Sequence, residues 1–222
     1  MARRIVFGAG KRGRADVVSG KTDHALERLV FFSDAVFAIA ITLLVIEIHP
    51  PHLERGEGAA DHFAALARLI PNFIGFAVSF GVIGFFWAGH HRAFTMAGRY
   101  HGGILVWNLA LLGAIAFVPF VTAFMSVNYN MLVPALFYWG WIVLTALLNL
   151  KVNSIATGPL MLGEDASGEA ARAVPRRSRA VLLGAVTASL VAALAPLAAP
   201  VGMATIPLWI RLQGRMARPA AA

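Results

Sequence analysis

The chain has 222 residues, 59% of them hydrophobic and 14% charged, with a mean hydropathy of +0.71. Soluble domains sit near half apolar and a quarter charged, so this composition excludes an ordinary soluble domain and indicates an integral membrane protein with several spans. No cysteine is present, which excludes disulfides and thiolate metal sites; the net charge of +8 raises nucleic acid as a partner, a question that the placement of the charges settles below.

Residues 1–25 form a basic arm with Arg3, Arg4, Lys11, Arg12, Arg14 and Lys21. The arm lacks a long apolar core and a small-residue cleavage site, so it does not read as a cleaved signal peptide. Residues 26–214 carry the membrane domain, and 215–222 form a short tail.

The first helix is expected from Leu26 to Ile48, with Asp23 placed to cap it and Pro50 and Pro51 ending it. From Ala35 to Val45 it holds no charge and one polar residue, Thr42. Arg28 to Ile48 makes about 31 Å of helix at roughly 1.5 Å per residue, enough for a hydrocarbon core of about 30 Å. At roughly 100° per residue, Ile39, Thr42, Leu43 and Ile46 fall within an arc of about 100°, and Phe32, Ala35 and Arg28 continue it towards the N-terminus. Asp34 falls roughly 130° away from the centre of that stripe. On residues alone, the stripe serves packing or lipid contact as readily as a pore.

Residues 49–65 are a polar connection whose His49, His52, Glu54 and Glu57 are too irregularly spaced for a metal site. A short amphipathic lead-in near His62–Ala67 precedes the second helix, about Leu69 to Met96. Its Gly75, Ala77, Gly81 and Gly84 would let neighbouring helices approach. The third helix covers about Gly103 to Phe124, with Asn108 early and Pro119 late. Asn128-Tyr129-Asn130 reads as a tight turn. The fourth runs from about Leu132 to Leu150, and its Tyr138, Trp139 and Trp141 suit either an interfacial belt or packing. After a long polar segment, the fifth and sixth, about Ala180–Ala195 and Ala198–Leu212, are short and crowded by Pro196, Pro200 and Pro207. They read as a tight hairpin, or as one broken segment that would leave five spans.

With six spans, 17 of the 19 Lys and Arg residues fall on the side of the N-terminus and only Arg55 and Arg68 on the other. That split places both termini in the cytoplasm. It accounts for the net charge by a basic face beside anionic lipid, without nucleic acid.

The run Arg28-x-x-x-Phe32-Ser33-Asp34, followed by Ala-Val-Phe-Ala-Ile-Ala-Ile-Thr-Leu-Leu-Val, resembles the first-helix signature of the transmembrane protein 175 family. These are potassium channels without a re-entrant filter loop. The resemblance implies an all-α integral membrane protein with six transmembrane helices per subunit and a pore lined by the first. The signature occurs once, so identical subunits, a homotetramer, would complete the pore. It also implies a prokaryotic plasma-membrane protein, since the related eukaryotic chains carry the unit twice. Ile39 would be the main constriction, with Thr42, Leu43 and Ile46 lining the filter region. Potassium is then the permeant ion, and no cofactor and no catalytic residue are expected. No Thr-Val-Gly-Tyr-Gly segment exists, so selectivity should be moderate.

Depth supplies a further expectation. Ser33, Asp34, Trp87 and His91 should share a hydrogen-bond network beside Arg28, Phe32 and Asn108, bracing the first helix against the second and third. His90 is expected to face elsewhere. A proton relay between Asp34 and His91 is the competing reading of these groups. For the whole chain, the alternatives are a proton- or ion-coupled secondary transporter and a non-conducting membrane scaffold. The continuous first helix, and a membrane midplane without acids or bases, speak against the transporter.

Overall fold

Apolar runs long enough to cross a bilayer can satisfy their backbone only as helices, and the computed structural model is helical accordingly. It describes residues 12–56 and 58–216, with side chains from 24 to 215 apart from 57. Arg3, Arg4 and Lys11 of the arm, Glu57, and Arg218 of the tail lie outside the described residues.

Helix α1 (Arg12–Ile46) is unbroken over 35 residues. It begins well before the expected Leu26, so Asp23 sits inside the helix instead of capping it. Helix α2 (Ala59–Ala67) is the amphipathic lead-in, where Asp61 Oδ2 accepts the backbone N–H of Gly58 at 3.1 Å. Helix α3 (Ile70–Phe94) opens with Pro71 in its first turn, where a missing N–H costs nothing. The expected third helix is two, α4 (Gly103–Ala116) and α5 (Val118–Val127), joined at Phe117. Pro119 is the cause, since it removes an N–H and crowds the preceding turn. The indole of Trp141 donates to the Ala114 carbonyl beside the break, at 2.9 Å. Asn130 takes a left-handed conformation (φ 61°) in the turn before α6 (Leu132–Ala156).

Helix α7 (Gly168–Leu194) starts twelve residues before the expected Ala180, with Ser167 at its N-cap accepting from the Ala170 N–H. The charged stretch Glu169–Arg179 is helical although it is too polar to look like a span. Pro175 is accommodated within it. The last segment is a 3-10 helix, Pro196–Thr205, followed by α8 (Ile206–Met216). It doubles back along α7: a Cβ on Gly202 would strike the backbone of Ala188, and one on Gly184 would lie 2.7 Å from Ile206 Cγ1. A 3-10 helix rises about 2.0 Å per residue against about 1.5 Å for an α-helix. The segment therefore reaches about 36 Å, sufficient to recross the bilayer despite three prolines. Five helical stretches are long and apolar enough to span by composition: 24–46, 59–94, 103–127, 132–156 and 168–194. The proline-rich return segment, 196–216, is not among them.

The core gathers α3, α4, α5 and α6 around Tyr138 and Trp139, both fully buried. These two rings serve packing, not a belt. Inside this core Tyr138, Ser79 and Thr122 form a polar chain. Ser79 Oγ lies 2.9 Å from Tyr138 Oη and 2.7 Å from Thr122 Oγ1, and Thr122 in turn donates to the Val118 carbonyl. Gly75 lets α3 touch α5, because a Cβ there would collide with Ser126. Gly81 and Gly84 face open space.

Candidate functional site

Helix α1 packs one narrow face into the bundle. Leu26, Leu29, Ser33, Phe37, Ala40 and Leu44 are buried, at spacings of three and four, against α3, α4 and α5. The stripe of Ile39, Thr42, Leu43 and Ile46 sits about 130° round the helix from them at roughly 100° per residue. Its side chains are uncovered in the single subunit: Ile39 is 57% exposed, Leu43 38% and Ile46 66%. Phe31, Phe32 and Val45 are exposed as well, so the uncovered arc is wider than the stripe alone. Thr42 donates its hydroxyl proton to the Ile39 carbonyl at 2.9 Å. What it turns to the exposed side is therefore an oxygen with free lone pairs.

The polar residues at the N-terminal end of this apolar run fall into two groups, not the single expected network. In the first, the Trp87 indole N–H donates to Asp34 Oδ1 at 2.9 Å, and His91, one turn on, stacks against the Trp87 ring with centroids 5.5 Å apart. His91 thus touches the acid's partner and not the acid itself. In the second, the His90 Nε2–H donates to Asn108 Oδ1 at 2.9 Å. Asn108 Nδ2 donates to Ser33 Oγ at 2.8 Å, and Ser33 passes its proton to the Leu29 carbonyl at 2.7 Å. Every side chain in this second group is buried. It ties α1, α3 and α4 together at one level. Arg28 and Phe32 are exposed on the opposite side of α1.

His90 is the residue that sequence reasoning passed over. Its ring lies between Phe94, stacked at 4.3 Å, and Phe37 at 5.5 Å. Of the adjacent histidines, His91 shares a helix face with Trp87, and that periodicity drew attention to it. His90 shares its face with Phe86 and Phe94, and only the buried side of α3 shows that this face is inward. A third polar cluster was also missed. Asn153 Nδ2 donates to Asn149 Oδ1 at 3.0 Å and to Ser178 Oγ at 2.9 Å, linking α6 to α7. The i, i+4 spacing of the two asparagines was its available signal. Among the described residues, no three His, Asp or Glu side chains gather where a metal could be held.

The model for the endosomal/lysosomal potassium channel TMEM175 matches residues 28–119. A Chamaesiphon minutus protein named a potassium channel is 33% identical over 156 residues, 68% of this chain and 76% of that one. This chain belongs to the TMEM175 family. A Streptomyces collinus protein named a potassium channel is 38% identical over 99 residues, and the match spans 47% of its length. The crystal structure of a lysosomal potassium-selective channel TMEM175 homolog from Chamaesiphon minutus matches with a TM-score of 0.72. The identity is 26%, over 86% of this chain and 98% of that one. The TMEM175 match runs from Arg28 to Pro119, so it takes in α1, α3 and α4, the three helices that hold both polar groups.

Proposed function

We propose that this TMEM175 chain is a potassium-permeable channel that conducts passively through a homotetrameric pore. Four copies of α1 meet on an axis, with Ile39, Leu43 and Ile46 as apolar constriction rings and Thr42 as a ring of hydroxyl oxygens. One observation carries this reading: the stripe is left bare while the neighbouring face of the same helix is packed. Lipid or protein can cover an apolar stripe in a membrane, and identical subunits arranged round an axis would cover the flanks of this exposed arc. The potassium-channel names of the two bacterial relatives point the same way.

The chemistry follows from ring composition. A narrow apolar ring resists wetting and closes the path without a moving plug. When it widens, a cation passes only after shedding part of its hydration, which potassium does more readily than sodium. Thr42 oxygens, their protons held by the helix backbone, replace part of the lost water. No backbone carbonyl cage takes part, so selectivity is moderate. Asp34 with Trp87, and Ser33 with Asn108 and His90, hold α1 in register so that the stripe keeps its angle. The basic end of the bundle, with both termini, faces the cytoplasm of a multi-pass plasma-membrane protein.

The test is current across bilayers containing the purified protein, under potassium and sodium gradients without a proton gradient. Wild type should give a potassium-favouring reversal potential. Ile39→Asn should raise conductance or erode ion discrimination. A variant indistinguishable from wild type would take Ile39 out of the conduction path.

A further inference from the structure

Where α6 ends and α7 begins, a cavity of about 1010 Å³ opens at the basic end of the bundle. Arg172, Arg176 and Arg179 of α7 line it. At roughly 100° per residue they occupy an arc of about 60°, so three guanidinium groups face one space. Glu169 is the single acid in the lining, which leaves an excess of two positive charges. Among the described residues no carboxylate lies within ion-pair distance of the three arginines, unlike Arg99, whose guanidinium meets Glu164 at 2.9 Å. Gln213 of α8 closes the far wall, and both its amide nitrogen and its amide oxygen are buried with no hydrogen-bond partner among the described residues. An orphaned buried amide is costly unless something completes it. Farther along α7 the lining changes to Leu182 and Leu183, which continue into the apolar span.

We propose that this cavity binds the phosphate headgroup of an anionic phospholipid, with the acyl chains leaving along Leu182 and Leu183. Arginine forks match phosphate oxygens two at a time. The Gln213 amide donates to a third oxygen, or to a glycerol hydroxyl, and so gains the partner it lacks. The gradient from arginine to leucine along a single helix fits a molecule with a charged head and an apolar tail. A free anion would leave the leucine end empty. This site lies outside residues 28–119, and it concerns lipid retention, independently of conduction.

Delipidated protein in detergent, titrated with phosphatidylglycerol or phosphatidylcholine and read by native mass spectrometry, tests this. Wild type should retain phosphatidylglycerol preferentially. R172Q/R176Q/R179Q should lower that retention on the order of a hundredfold, given the contribution of each basic residue near anionic lipid. R99Q/R211Q/R215Q removes the same charge outside the cavity and should lower it less than twofold. Equal losses in the two triple variants, or no loss in the first, would overturn the site. Inorganic phosphate that displaces phosphatidylglycerol at millimolar concentration, and raises the unfolding temperature without lipid, would overturn the lipid assignment in favour of a free anion. Gln213→Leu guards against a folding artefact. It should unfold no earlier than wild type when lipid-free, yet retain less phosphatidylglycerol; unchanged retention would count against the proposal.

Discussion

Asn108 shows how one side chain can hold three helices. It accepts from His90 and donates to Ser33, and both partners are fully buried. Asn108→Leu should orphan the buried His90 N–H at about 1–3 kcal/mol, while Ser33 keeps its bond to the Leu29 carbonyl, and so lower the unfolding temperature in detergent. Adding His90→Phe should recover part of the loss, since an aromatic ring suits the space between Phe37 and Phe94 and removes the orphan. Equal destabilisation by the single and double variants would contradict that coupling. Thr42 acts at the same scale by different means. With its proton committed to the Ile39 carbonyl, Thr42→Val keeps the shape and deletes only lone pairs. It should reduce potassium-over-sodium discrimination by roughly fivefold, the equivalent of about 1 kcal/mol. Reversal potentials measure it. The sequence showed which end of α1 needed polar partners, because an acid at Asp34 lies too deep to go unmatched. It could not tell which histidine answers Ser33 and Asn108, since that depends on which side of α3 turns inward.

Elements were legible where hydropathy and helix length agree, and illegible where they part. α3 stands near its expected limits, whereas α6 runs six residues past the expected Leu150 to Ala156. Hydropathy stops at the membrane surface while backbone hydrogen bonding does not, so α1 and α7 run past their apolar stretches into charged sequence. Pro119 was noticed as a proline but not as the point where a span divides. The return segment was readable only as a question, because three prolines suggest a break and the longer rise of a 3-10 helix removes the difficulty. Gly202, against the backbone of Ala188, has no room for a side chain. Gly202→Leu should cost about 1–3 kcal/mol through overpacking and loosen the return pass from α7. The absence of cysteine permits a clean test of the crossing. Single cysteines at Leu197 and at Gly214 should react with an impermeant thiol reagent from opposite sides of a sealed vesicle. Labelling of both from one side would show that the return segment lies along the surface.

For the molecule as a whole, two loops at the basic end are fastened by backbone. Gly98 N–H and Arg99 N–H both donate to the Met161 carbonyl, at 2.8 and 3.2 Å, and Gly163 N–H donates to the Met96 carbonyl at 2.9 Å. Gly98 lies so near Gly163 that an added Cβ would be 2.7 Å from its Cα. Gly98→Val should therefore destabilise the subunit far more than Arg99→Ala, because the exposed Arg99–Glu164 pair is worth less than about 1 kcal/mol. Thermal unfolding of the two variants side by side checks the ranking. A stable single subunit with a bare α1 arc should also be found as four copies when its mass is measured in detergent. A monomer at micromolar concentration would remove the axis on which the proposed pore depends. The regularity of α1 carries one more consequence. Everything that distinguishes its exposed arc resides in side chains, and none of it in unusual backbone. A single altered codon would change every copy of a ring simultaneously, leaving the scaffold untouched, so natural selection can retune what passes without having to refold what it passes through.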